Sequence, residues 1–163
     1  MKLYTTLLLL TFALLFAGCS NNATSAMDEP DPEEPPVVLE PVVITLENSG
    51  AQSYRIVSID GDGATAVLNE DNVDITLQIG LRFTFVNTAG ASSHPLDFRN
   101  DANEKLFGQS NASGMLNDEE SIDVAKDGNS ITFTLTDELA DVLANYVCSF
   151  HPGMGGKFII EAR

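Results

Sequence analysis

Val73-Asp74-Ile75-Thr76-Leu77-Gln78-Ile79-Gly80-Leu81-Arg82-Phe83-Thr84-Phe85 places an apolar residue at every second position. A period of two puts one face of an extended chain on a core and the other in water. Gly80 interrupts the run, which predicts two strands, over 73–79 and 81–85. Downstream, Ile131, Phe133 and Leu135 alternate with Thr132 and Thr134 in the same way. Upstream, Val42 to Leu46 and Tyr54 to Ile59 are further strand candidates, and Gly61-Asp62-Gly63 marks a turn. Asp60 and Asp62 read as turn residues, because the third acid and the spacing of a calcium loop are missing. Short alternating strands separated by Gly, Asn and Asp predict an all-β sandwich. Residues 100–119 are polar and contain glycine, so they predict a long excursion with little regular structure, in which Met115 is a packing residue. One short helix is expected over 137–144, capped by Thr136 or Asp137, with Leu139, Val142 and Leu143 as its apolar stripe. There is no internal repeat.

That helix leads into Tyr146-Val147-Cys148-Ser149-Phe150-His151-Pro152-Gly153-Met154-Gly155-Gly156-Lys157-Phe158-Ile159-Ile160. Here a thiol, an imidazole and a thioether share one short loop around a Pro-Gly turn, between the end of one strand and the start of the next. The chain has one other histidine, His94, followed by Pro95-Leu96-Asp97-Phe98, which predicts a rigid ligand position in a strand after a turn. A thiolate is a soft donor that suits Cu(I), imidazole suits both copper oxidation states, and a thioether is too weak to impose tetragonal Cu(II) geometry. Two histidines, one cysteine and a weak methionine are the ligand set of a blue-copper electron-transfer site. The two cysteines, Cys19 and Cys148, strengthen this reading. If Cys19 is taken by lipid, Cys148 is a lone thiol in an exported protein, where metal ligation gives it a reason to persist.

The spacing Cys-x2-His-x2-Met with a distant upstream His resembles the cupredoxins over roughly residues 42–162, and its loop is similar to that of amicyanins. The resemblance implies a Greek-key β-sandwich (cupredoxin-like) holding one copper ion. His94, Cys148 and His151 would be equatorial ligands and Met154 the axial one. It also implies that the edge of His151, with Phe150, Pro152, Gly153 and Met154 around it, forms the docking patch and electron port. The chain departs from the family beside the ligands. The residue after the first His is usually an Asn whose N–H bonds the cysteine sulfur, whereas Pro95 has no N–H. Relatives place Pro two residues after the Cys, whereas Phe150 keeps its N–H. The expectation is that the sulfur retains about one backbone bond, donated from the opposite side of the site.

The 163 residues suggest one domain with extensions, and 44% apolar content is enough for a packed core. The formal charge of −16 argues against nucleic acid and anionic membrane surfaces as partners. Residues 1–18 have a single charge, Lys2, then an apolar run ending in Ala17-Gly18, the form of a signal peptide. Phe16-Ala17-Gly18-Cys19 resembles a bacterial lipobox, which would make Cys19 a lipidated first residue; an ordinary signal peptide cut near Ala17 is the alternative. Residues 19–41 read as an acidic, Pro-rich linker with Pro30, Pro32, Pro35, Pro36 and no basic residue, which cannot bury enough surface to fold. Residues 42–163 are the predicted cupredoxin domain. The sequence therefore predicts a type 1 copper electron carrier in the cell envelope, a monomer held to a membrane by a lipid anchor on the exported side. Its expected partner is a redox protein, such as a cytochrome or oxidase, with a basic surface. Copper delivery or storage by the same ligands is the alternative. An enzyme is not expected, because no HExxH-type motif accompanies the site.

Overall fold

The computed structural model describes residues 40–163. The expected signal peptide, the Cys19 lipidation site and the linker up to residue 39 lie outside the described residues. In chain order the elements are β1 (Val42–Ser49), β2 (Ser53–Asp60), β3 (Ala64–Ala66), β4 (Ile75–Gln78), β5 (Arg82–Asn87), β6 (Leu96–Arg99), β7 (Lys105–Gly108), β8 (Ala125–Asp127), β9 (Ser130–Thr134), α1 (Asp137–Ala140), β10 (Asn145–Cys148) and β11 (Gly155–Glu161). Among the described residues, no helix is long and apolar enough to cross a membrane.

The strands form two mixed sheets, ordered β2-β1-β5-β9-β8 and β3-β4-β11-β10-β6-β7. Each contains one parallel pair, β1 with β5 and β4 with β11, among antiparallel neighbours. The alternation read from the sequence is the reason the sheets can share a core. Ile75, Leu77, Phe83, Phe85, Ile131 and Phe133 are fully buried, while their strand neighbours Thr76, Thr84 and Thr132 are only partly so. Phenylalanines close the gap between the sheets. Phe98 on β6 meets Phe85 on β5 and Phe133 on β9, each with ring centroids 5.1 Å apart.

Several expectations are corrected. The strand expected over 73–79 narrows to β4, with Val73 and Ile79 only half-buried at its ends. The excursion over 100–119 contains a strand, β7, paired with β6. Its Leu106 and Phe107 are adjacent and both buried, so a test for alternation does not see it. Helix α1 spans four residues, with Thr136 as its cap accepting from the Leu139 N–H. Its stripe is Leu139 and Leu143, because Val142 is 41% exposed. Met115 is 66% exposed and packs into no core.

Candidate metal centre

His94 lies in a bend two residues before β6, not inside a strand. Its N–H donates to the Gly90 carbonyl at 3.0 Å, closing the preceding turn. Its own carbonyl accepts from the Tyr54 hydroxyl at 2.7 Å and from the Asn87 side-chain amide at 2.6 Å. Tyr54 on β2 and Asn87 on β5 are both fully buried, and both belong to the sheet opposite β6. The Asn87 amide also donates to Gln109 Oε1 at 2.8 Å, and that oxygen accepts the Leu96 N–H at 3.0 Å. A buried amide without partners is costly. The first ligand is therefore fixed by polar side chains that the core itself requires to be bonded. Pro95 is buried, offers no N–H, and accepts the Ser149 N–H at 3.0 Å.

Cys148 is the last residue of β10, paired with Leu96 of β6. Its N–H donates to the Met154 carbonyl at 2.8 Å, and the Met154 N–H donates to the His151 carbonyl at 2.8 Å. These two bonds fold the ligand loop on itself. Asn72 clamps it from outside. Its Oδ1 accepts the Gly155 N–H at 2.9 Å and its Nδ2 donates to the Gly153 carbonyl at 3.2 Å. Gly155 lets β11 turn back tightly on β10, because an added Cβ would overlap the Tyr146 carbonyl oxygen.

This scaffold brings three donor atoms to one point. The Nδ1 atoms of His94 and His151 are 3.2 Å apart, and Cys148 Sγ lies 3.5 Å from the second and 3.9 Å from the first. A point equidistant from the three lies about 2.1 Å from each, against ~2.0–2.3 Å for metal bonds to imidazole and thiolate. His94, Cys148 and His151 could therefore hold a metal ion. Ligation through Nδ1 leaves the proton on Nε2, and the Asn48 amide nitrogen 3.4 Å away is itself a donor, so it does not accept that proton. Cys148 is a free, buried thiol, while the two imidazoles are half-buried. Burial, and then the neighbouring His151, hold the His94 pKa below its ordinary value. That keeps the lone pair available at neutral pH. Burial, reinforced by the nearby Cys148, raises the Tyr54 hydroxyl far above an ordinary phenol, so it stays a donor.

Met154 is fully buried in the same loop, whereas Met115 is exposed. The Phe150 ring is 61% exposed beside exposed Pro152 and Gly153. Among the hydrogen bonds of the described residues, none joins the Phe150 N–H to Sγ. The sulfur's polar contacts are to the two imidazoles instead. Tyr54, Asn72, Asn87 and Gln109 escaped the sequence reading as parts of the site. Asn87 did leave a signal. It continues the inward-facing series Phe83, Phe85, so it is a polar residue on an apolar face. Compared with known protein families, curated proteins and solved structures, the chain matches none.

Proposed function

We propose that the chain is a type 1 copper electron-transfer protein with the Greek-key cupredoxin fold. One observation carries the reading: two imidazole Nδ1 atoms and one cysteine sulfur surround a point at metal-bond distance from all three. The buried Met154 supplies the weak fourth donor such a site uses. A copper ion held there would supply a one-electron Cu(I)/Cu(II) couple. The chain's own residues do the rest. The buried Cys148 binds, the hydrogen-bonded His94 backbone orients its ring, and the apolar walls exclude water. The half-buried His151, set among the exposed Phe150, Pro152 and Gly153, is the face offered to a redox partner. With 24 acids against 8 bases in the chain, that partner carries a basic surface. In the same proposal Cys19 bears a lipid, and residues 19–41 hold the domain off an envelope membrane.

The test is an optical titration with one equivalent of Cu(II). Intense visible absorption is expected, and Cys148→Ser should abolish it, because the thiolate carries that transition. Tight Cu(I) binding without the absorption would favour copper delivery or storage. A site that takes zinc and refuses copper would overturn the proposal.

A further inference from the structure

Asp97 is a buried carboxylate beside the site. It sits on β6 between Leu96 and Phe98 and is 1% exposed. Phe98 packs into the aromatic core, so Asp97 points to the other face of the sheet, which the chain over 109–112 covers. The Lys105 ammonium lies 3.1 Å from Oδ1 and the Arg99 guanidinium 3.8 Å from Oδ2. The Ser110 N–H donates at 3.2 Å and its hydroxyl at 2.9 Å. The last donor is the Ser149 hydroxyl, to Oδ2. Ser149 directly follows Cys148, and its N–H bonds the Pro95 carbonyl beside His94. One carboxylate thus ties β6, β7, the 109–112 segment and the ligand loop together.

The cation is as closely held as the anion. The Lys105 side chain is 9% exposed. Its ammonium also donates to the Ser110 carbonyl at 3.0 Å, the Ser110 hydroxyl at 2.6 Å and the Ala112 carbonyl at 2.7 Å. Burial of this kind is weak as a stability device, since desolvating two charges offsets most of their attraction. A plain apolar contact would close the sheet as well. What an apolar contact could not do is fix the residue after Cys148 by a directed bond while a cation at 3.1 Å offsets the carboxylate's charge.

We propose that Asp97 and Lys105 form a positioning pair for the metal centre: Asp97 fixes the chain at Cys148 through Ser149, and Lys105 cancels the carboxylate's field there. The proposal rests on the copper reading for its charge component only. Lys105→Met leaves the buried anion with only the more distant Arg99 guanidinium, 3.8 Å away, which favours the more positive Cu(II) and lowers the potential. Asp97→Asn leaves the cation unpaired and raises it. Each single variant should shift the one-electron equilibrium about tenfold, ~59 mV, in opposite directions. The double variant Asp97→Asn/Lys105→Met should return close to the wild-type potential. Shifts of one sign, no shifts, or a double variant that keeps the shift of either single variant overturn the charge component.

The positioning component is read without metal. In copper-free protein, Ser149→Ala should speed hydrogen exchange of the Cys148 and Met154 amides at least tenfold and leave β1 and β5 unchanged. This variant is small enough to keep the fold if either charge variant does not. Unchanged loop exchange overturns the positioning claim. A wild-type protein that binds no copper sinks the copper reading and, with it, the charge component. The exchange measurement still decides whether Ser149 anchors the loop.

Discussion

The two sides of the candidate metal centre are held by different physics. On one side a single candidate ligand, His94, sits in a bend and owes its position to Tyr54 and Asn87, buried side chains from the opposite sheet. On the other side Cys148, His151 and Met154 lie within one loop that closes on itself through two main-chain bonds. The isolated ligand needs a buried polar network, because a lone bend has no regular partner for its backbone. The clustered ligands need small residues and a tight turn, because chain connectivity already brings them together. The contrast teaches where each side is vulnerable: the first to removal of a distant side chain, the second to local strain or loss of the external clamp.

The largest effect is expected from Asn87→Ala. It deletes bonds to the His94 carbonyl, to Gln109 and from the Ala89 N–H. Three net hydrogen bonds at about 0.5–1.5 kcal/mol each make the cost roughly 1.5–4.5 kcal/mol, read as a shift in the denaturant midpoint of metal-free protein. Tyr54→Phe removes only the second donor to the same carbonyl, so it should cost less, about 0.5–1.5 kcal/mol. Equal costs for the two would show that the His94 carbonyl, and not the Asn87 network, is the controlling feature.

Asn72→Ala probes the opposite side and should act more weakly on stability. Two of its bonds, to the Gly153 and Gln52 carbonyls, are exposed, and water can replace them. Its backbone has φ of 53°, which costs alanine about 1–2 kcal/mol relative to more permissive residues. A loss of about 1–3 kcal/mol is expected, with loosening in hydrogen exchange at the ligand loop and at the Tyr54 amide, which also donates to Asn72 Oδ1. Loosening that reached His94 equally would mean the two sides are one cooperative unit.

The same contrast explains what could be read in the sequence. The Cys148-x2-His151-x2-Met154 spacing is local, so residue types and offsets were enough to find it. The strands carrying Phe83, Phe85, Ile131 and Phe133 announce themselves by alternation. The support of His94 is long-range. Tyr54 is 40 residues from it in the chain, and Asn72 reaches Gly153 across 81. No periodicity records such pairs. Asp97 looked like one polar residue in the apolar run from Pro95 to Phe98, and only the cover supplied by β7 and the segment after it shows why a carboxylate can stay there. β7 itself was missed because Leu106 and Phe107 are buried on both faces of a strand four residues long.

The smallest effect sharpens the comparison where the two sides meet. Burial, and then the neighbouring His151, lower the His94 pKa. In metal-free protein the unfolded chain takes up a proton at an ordinary His value of about 6.5, while the folded His94 does so only at lower pH. Between those values the unfolded state binds more protons, so stability rises with pH there. The contribution is complete above the unfolded value and is lost as pH falls through the folded one. His94 is only half-buried, so solvent screening keeps the effect modest. Carboxylates titrate at the low end of the same range, and a difference experiment removes them. The denaturant midpoint of metal-free wild type should fall more steeply below pH ~6.5 than that of His94→Gln, and the two curves should run parallel above it. Parallel curves throughout would show that the imidazole is as easily protonated in the fold as outside it. The His94 side would then not hold its ligand ready in the neutral form.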